Sequence, residues 1–322
     1  MTAQEFIQKR LGDLKAIEVV SSFESDEKMT EFIFSRVLSK KFRKFSVSPE
    51  YLEQIRKSIE INVSKKEPIK FAFSFGGYKL WRLEERSEPD WAELFAIIYY
   101  CRWMQPILNV YKPGIWFDFV TDGIILEKLN NVPKEESKIY RAEFQKLLDF
   151  IKPYTPTNLK LTLTEIGDFY SSEKEFEEDL ADKINKLKSS IGKDLPDLTP
   201  EDIARVELNV NATPEQKNDP KWREKVKLLH DSYMTVSKKR PYYKTEDKIM
   251  VLANALNGML ALGTTKTSTV KFWVGVGALQ RRDNSFIETI LSTSQLEKAK
   301  LTWEPVTIEG LEGKNFKTIR II

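Results

Sequence analysis

Between Ile69 and Phe75 the chain alternates: Ile69, Phe71, Phe73 and Phe75 fall on one side, Lys70, Ala72 and Ser74 on the other. A period of two is the signature of a β-strand with one buried face. The same period returns from Ile115 to Val120, where Ile115, Phe117 and Phe119 oppose Trp116, Asp118 and Val120. A third strand is predicted from Leu159 to Leu163. The stretches between them follow the helical period instead. Asp90 is an N-cap, and Glu93, three residues on, completes a capping box. Trp91, Leu94, Phe95, Ile97, Ile98, Cys101 and Met104 follow. That helix is apolar nearly all round, so it is expected to be buried, with Pro106 marking its end. Tyr111-Lys112-Pro113-Gly114 is a turn. A further helix after Pro133 is carried by Ile139, Phe144, Leu147, Leu148 and Ile151.

Strand, helix, strand, helix, strand is the βαβαβ pattern of a parallel sheet covered by helices. Before it, residues 1–66 read as mostly helical. Phe6, Ile7 and Leu11 form one apolar stripe, Phe32, Phe34, Val37 and Leu38 a second, and Tyr51, Leu52, Ile55 and Ile59 a third. After it, residues 171–192 read as an acidic amphipathic helix through Phe176, Leu180, Ile184 and Leu187. A helix near 220–237 carries His230. The segment from Lys248, KIMVLANAL, fits a strand or a buried helix. Val270 to Gly277 reads as a late strand, and 285–322 as short strands and turns. The fold class expected is α/β: a Rossmann-like, mostly parallel sheet flanked by helices. Residues 1–66 form an N-terminal helical extension and 67–322 the α/β domain.

Composition narrows the functional classes. The 322 residues are 41% hydrophobic and 31% charged, an ordinary globular mixture. Lys plus Arg number 51 against 48 Asp plus Glu, a formal net charge of +3. Such balance gives no global electrostatic case for nucleic acid or an anionic membrane. The small basic cluster of Lys40, Lys41, Arg43 and Lys44 is the one local exception. One cysteine, Cys101, allows no internal disulfide and fits a reducing compartment. One histidine, His230, argues against a zinc site of Cys and His and against any histidine-based triad not using it. No apolar run reaches the roughly 18 residues of a spanning helix. The start of the chain lacks a secretory apolar region. A cytoplasmic protein with no membrane partner is expected.

Candidate chemistry gathers where the strands end. The first strand runs into Gly76-Gly77-Tyr78-Lys79, followed by Trp81, Arg82 and Arg86. In an open parallel sheet, ligands sit beyond the carboxyl ends of the strands. Glycines there let backbone N–H groups approach an anion, and a lysine supplies a point charge. Gly76, Gly77 and Lys79 are therefore candidate phosphate ligands. Tyr78 and Trp81 are candidate pocket walls, and Arg82 and Arg86 further anion contacts. No G-x-G-x-x-G or Walker sequence is present, and the same residues also suit a plain tight turn. Asp122 closes the second strand as Thr121-Asp122-Gly123, where a carboxylate can accept a proton or bind an amine or sugar hydroxyl. Asp-Gly is equally a common turn dipeptide. Asp118 is expected to be partly buried and then to need a partner. Gly275-Val276-Gly277 with Gln280, Arg281 and Arg282 offers a second anion-binding loop or simply surface. Trp81, Trp91, Trp103 and Trp116 are most simply core, with the walls of a pocket for a flat substrate as the alternative.

From Pro68 to Leu148 the order of these features resembles the isocyanide (isonitrile) synthase family, the enzymes of the pyoverdine and dityrosine biosynthesis type. A P-I-x-F strand opens as Pro68-Ile69-Lys70-Phe71 and leads to a loop lysine, Lys79. A P-D-x-x-E helix start follows as Pro89-Asp90-Trp91-Ala92-Glu93. Then come a Y-x-P-G turn at Tyr111–Gly114, a strand ending in Thr121-Asp122-Gly123 and a helix with a tyrosine, Tyr140. The family's loop reads like F-P-x-K-S-P-N, where this chain has F-G-G-Y-K-L-W. Its late strand carries a histidine, where Val270 to Gly277 has none.

The resemblance implies a Rossmann-like fold, no metal and no cofactor. It also implies condensation of an amino acid's α-amine with a pentulose phosphate, the amine becoming an isocyanide. Lys79 and Asp122 then stand at the family's loop lysine and S-D-G aspartate. The expected partner is a small phosphorylated substrate with an amino acid. Two other readings remain: a nucleotide- or nucleoside-modifying enzyme on the same scaffold, or a non-catalytic module that binds a partner through the basic cluster.

Overall fold

A computed structural model describes residues 1–15, 23–39, 49–74, 89–121, 123–124, 133–179, 181–182, 220, 251–254, 259–262, 276–291, 301–312 and 316–321. Three helices lead the chain: α1 (Ala3–Gly12), α2 (Asp26–Val37) and α3 (Pro49–Ser64). Each of the first two has a side-chain N-cap. Thr2 Oγ1 accepts from Glu5 N at 3.1 Å while Glu5 Oε2 accepts from Thr2 N at 2.7 Å, a complete capping box. Ser25 Oγ accepts from Lys28 N at 3.2 Å. Where their side chains are described the apolar stripes face inward as expected, Tyr51 lying outside that description, with one shift: in α2 it is Ile33, Phe34 and Val37 that are buried, and Phe32 and Leu38 pack at the margin.

The strand–helix alternation is present: β1 (Ile69–Ser74), α4 (Trp91–Leu108), β2 (Ile115–Thr121), α5 (Lys134–Ile151) and β3 (Leu159–Glu165). Pro106 does not end α4; it lies inside the last turn, and the helix runs on to Leu108. A proline near the C-terminus sacrifices one backbone donor, and Asn109 N and Tyr111 N still reach Gln105 O and Ile107 O at 2.9 Å each. The expected turn forms at Tyr111–Gly114, closed by Gly114 N donating to Tyr111 O at 2.9 Å. Gly114 has φ +78°, and a Cβ there would stand 1.8 Å from Asn158 O. Both conformation and space demand glycine at this point.

Parallel pairing joins β1 to β2 and β2 to β3, with Ile69 opposite Ile115 and Ile115 opposite Leu159. On the other edge of β1 lies β5 (Met259–Leu262), also parallel, and beyond it β4 (Val251–Asn254), antiparallel. The segment from Lys248 is thus a strand where it is described. The order β3-β2-β1-β5-β4 puts a topological switch at β1: its sequential successor lies on one side, and a strand from far along the chain on the other.

A second, four-stranded sheet, β7-β6-β9-β8, is built from β6 (Val276–Arg282), β7 (Ser285–Leu291), β8 (Leu301–Val306) and β9 (Phe316–Ile321). Gly277, Gln280, Arg281 and Arg282 therefore lie in a regular ladder against β7 rather than in an anion-binding loop. Arg281 stacks over Phe286, 5.1 Å from the ring centroid. The first helix touches this sheet through Phe6 and Phe286, whose ring centroids are 6.0 Å apart.

The core sits between the parallel sheet and the pair α4 and α5. Phe71, Phe73, Phe117 and Phe119 all point to that side. Tyr100 meets Phe73 at 4.8 Å and Phe117 at 5.2 Å, Trp103 meets Phe71 at 5.6 Å, and Phe144 of α5 meets Phe119 at 5.3 Å. Cys101 is buried in the same layer of α4, and desolvation pushes its thiol up to about 12. Tyr111 ties the sheet to α3, its hydroxyl donating to Asn62 O at 3.1 Å and Glu67 O at 2.6 Å. Burial raises that phenol as well. Among the described residues no helix is long and apolar enough to cross a membrane.

Candidate functional site

The parallel sheet directs the carboxyl ends of β1, β2 and β3 to one edge. Each crossover helix begins at that edge, because it must return antiparallel to the strand it follows. The N-termini of α4 and α5 therefore stand above Ser74, Thr121 and Glu165. Among the described residues, Asp90 is buried at this edge at the start of α4, with two further buried carboxylates. Glu93, in the first turn of α4, is 2% exposed. Its Oε2 accepts from Asp90 N at 2.7 Å, the reciprocal half of the expected capping box, and its Oε1 accepts from Tyr140 Oη at 3.3 Å. One side chain thus fixes the start of its own helix and links it to α5. Tyr140 is itself buried and stacks on Phe144 at 6.3 Å, which sets the ring and hence the hydroxyl.

Glu165 is the second carboxylate, the last residue of β3 and 5% exposed. Thr121 Oγ1 donates to its Oε2 at 2.8 Å and Ile124 N to its Oε1 at 3.3 Å. The Arg141 guanidinium lies 3.5 Å from Oε2. A capping box joins Glu165 to Asp168: the Glu165 side chain accepts from Asp168 N, and Glu165 N donates to Asp168 Oδ2 at 3.1 Å. All these are contacts that a carboxylate, an acceptor on both oxygens, is built to make. Gly123 makes the arrangement possible. A Cβ there would meet Ser137 Cβ at 3.2 Å and Glu165 Oε2 at 3.5 Å, so a side chain would crowd the β2–α5 corner.

Deeper in the sheet, on the face away from α4 and α5, Asp118 is buried and finds the partners its position demanded. Thr162 Oγ1 and Thr164 Oγ1 of β3 donate to its Oδ1 at 2.6 and 2.9 Å. Burial raises its pKa above the ordinary value. The two threonine bonds and the charge of Lys160 oppose that rise, and Asp168 adds to it.

Gly76, Gly77, Tyr78, Lys79, Trp81, Arg82, Arg86 and Asp122 lie outside the described residues, as do His230 and the basic cluster of Lys40, Lys41, Arg43 and Lys44. Their chain neighbours are in place: Ser74 ends β1, and Thr121 and Gly123 flank position 122 at the end of β2. Trp91 is core, stacked on Phe95 at 5.7 Å, and Trp103 packs against it. Trp116 instead turns to the far face, where its Nε1 donates to Thr162 Oγ1 at 2.8 Å.

Sequence reasoning missed Glu165, Arg141 and Ser137. The signal for Glu165 was available, since it ends a strand just before Gly167, the same context that singled out Asp122. Arg141 carried no such signal, because only the pairing of β2 with β3 brings it to Glu165. Among the described residues no group of three His, Cys, Asp or Glu side chains is placed to hold a metal ion.

No known protein family and no curated protein matches this sequence. Among solved structures the chain is similar to the crystal structure of the PvcA protein from Pseudomonas aeruginosa. The TM-score is 0.52 and the identity 13%, over 91% of this chain and 100% of that one. At that identity the likeness is one of fold: the chain is a distant structural neighbour of PvcA, with an α/β architecture in common.

Proposed function

We propose that the chain is an isocyanide-synthase-like enzyme that condenses an amino acid amine with a pentulose phosphate, or a diverged relative acting on a small phosphorylated substrate. The observation that carries this reading is the convergence at one sheet edge. Three parallel strand ends and two helix N-termini meet around the buried carboxylates Glu93 and Glu165. The edge at a strand-order reversal is where open α/β sheets bind ligands. The likeness of fold to PvcA is consistent with it, and the order of motifs from Pro68 to Leu148 supports it.

In this reading Lys79 and the Gly76 and Gly77 amides hold the phosphate, with Arg82 and Arg86 as further anion contacts. Tyr78 and Trp81 wall the pocket. Asp122 binds the amine and takes its proton, since only the neutral amine attacks a carbonyl. Glu93, Tyr140 and Glu165 position these groups by fixing the starts of α4 and α5 and the corner after β2.

Thermal unfolding of wild type and Lys79→Ala, each with a pentulose phosphate, tests the assignment. A ligand at a hundred times its dissociation constant stabilises by about 2.7 kcal/mol. The expected result is a shift in wild type that is lost in Lys79→Ala, with the variant alone unfolding as wild type does. Equal stabilisation of both proteins sinks the role of Lys79. Stabilisation by nucleotides alone moves the site to nucleotide chemistry.

A further inference from the structure

The end of α5 and the start of β3 lie on the side of the sheet opposite the candidate site. There an open cleft of about 720 Å3 separates the last turn of α5 from the loop that follows β8. That volume falls within the roughly 300–1,000 Å3 of small-molecule sites. One wall is aromatic. Phe150 and Tyr154 have ring centroids 6.0 Å apart and planes tilted by 54°. Rings this close touch each other, so they make one continuous wall and not two jaws. Tyr154 Oη reaches Gln8 Oε1 of α1 at 3.5 Å. The loop is fixed against this wall. Gly310 has φ +85°, and a Cβ there would stand 3.0 Å from Phe150 Cδ2 and Cε2. Gln4 Oε1 of α1 accepts from Glu309 N at 2.9 Å, and Leu311 N donates to Ile308 O at 2.9 Å. The cleft is thus formed in advance, so little ordering remains for a ligand to impose.

The lining says what kind of ligand. Asp149 of α5 and Glu309 and Glu312 of the loop bring three carboxylates to the cleft, against one cation, Lys146. Lys146 Nζ pairs with Glu143 Oε1 at 2.5 Å along its own helix. Among the described residues none of the three acids takes part in an ion pair. Asp149 Oδ1 accepts from the neutral Gln145 Nε2 at 3.0 Å. Gly310 N donates to Glu312 Oε1 at 2.8 Å, and that bond, with Glu312's own N–H, holds the carboxyl below the ordinary value. Ionised carboxylates beside aromatic rings suit an organic cation, which the ring faces attract and the carboxylates neutralise. A single wall suits a planar cation better than a tetrahedral one. A guanidinium stacks on aromatic faces and offers forked N–H groups to carboxylates at the same time.

We propose that this cleft binds a small guanidinium-bearing molecule, its planar cation laid against Phe150 and Tyr154 and its N–H groups directed to Glu309, Glu312 and Asp149. The site lies at the other end of α5 from the phosphate reading above and shares no residue with it.

The test uses the full chain and calorimetric titration with butylguanidine, its neutral isostere butylurea, and butylamine. The wild type is expected to bind butylguanidine, to bind butylamine more weakly, and to ignore butylurea. Glu309→Gln with Glu312→Gln removes two charges from exposed positions and leaves an acceptor for Gly310 N. That double variant should weaken butylguanidine binding about tenfold or more. Tyr154→Leu keeps an apolar wall without a ring face and should weaken it about threefold. Glu53→Gln with Glu60→Gln removes the same charge from the exposed side of α3 and should change nothing. No binding of butylguanidine by the wild type, equal affinity for butylurea, or an equal loss in the α3 variant would each overturn the site. A blocked Gly-Arg-Gly peptide that binds more tightly than butylguanidine would move the occupant to a protein's arginine and overturn the small-molecule assignment. Pentulose phosphate binding should be unchanged in the Glu309→Gln and Glu312→Gln variant, and its loss in Lys79→Ala bears only on the other reading, so the two fail separately.

Discussion

The two faces of β2 are made by alternate residues of one seven-residue strand, yet they are held by different physics. Toward α4 and α5, Phe117 and Phe119 lie in a dry aromatic layer with Phe71, Phe73, Tyr100 and Phe144, ring against ring. Toward the other side, Trp116 and Asp118 join Thr162 and Thr164 in a directed chain of hydrogen bonds. The first face gains from area and contact, which are non-directional. The second gains little net stability per bond but fixes the position of each atom. The lesson is a division of labour within the strand: the aromatic face makes the sheet stable, and the polar face is free to present chemistry.

If that division holds, Phe117→Ala is the most damaging single change on the strand. It removes a fully buried ring with four aromatic neighbours and should cost about 3–5 kcal/mol in urea unfolding. A loss below about 1 kcal/mol would mean that the aromatic layer is not the source of stability. Trp116→Phe tests the other face. It deletes the donor to Thr162 and trims the ring that faces Lys160, and should cost about 1 kcal/mol. A cost as large as that of Phe117→Ala would erase the distinction between the faces.

The smallest effect is a slope with pH. Asp118 has a folded pKa raised above the ordinary 3.8 by burial. A raised acid contributes stability that is fully present below the unfolded pKa and is lost as pH rises through the folded one. Asp118→Asn does not titrate. Its stability relative to wild type should therefore move in the variant's favour as pH rises from 3.8 through the raised value. Unfolding midpoints of both proteins across that window check the sign. A gap that moves in the opposite direction would show that the threonine bonds and Lys160 outweigh burial.

The aromatic face was legible in the sequence because alternation is local. Ile69, Phe71 and Phe73 announce β1, and Ile115, Phe117 and Phe119 announce β2, with the right residues turned inward. The capping relation of Asp90 and Glu93 was legible for the same reason, since it spans three residues. What lay hidden depends on partners distant in the chain. Nothing in Met259–Leu262 says that it pairs with β1, and nothing in β6 to β9 says that they form a sheet of their own. Pro106 misled because the cost of a helical proline depends on which donor is lost, and near a C-terminus one loss is tolerated. Asp118 was correctly expected to need a partner, but the partner's identity came from the β2–β3 register. At the candidate site, the sequence marks Glu93 as part of a cap and Tyr140 as part of the motif order. Their hydrogen bond follows only once α4 and α5 lie side by side.

The lone thiol of Cys101 gives the molecule a built-in clock. Buried in α4 and held near pKa 12, it presents almost no thiolate to solvent while the helix is seated. A thiol reagent can therefore react only when that layer opens, and every modified molecule records one such event. No other cysteine competes for the reagent. The labelling rate of the unaltered protein reads how often the helix above the candidate site lifts from the sheet, and a ligand that bridges α4 to the strand ends would slow that rate in proportion to its grip.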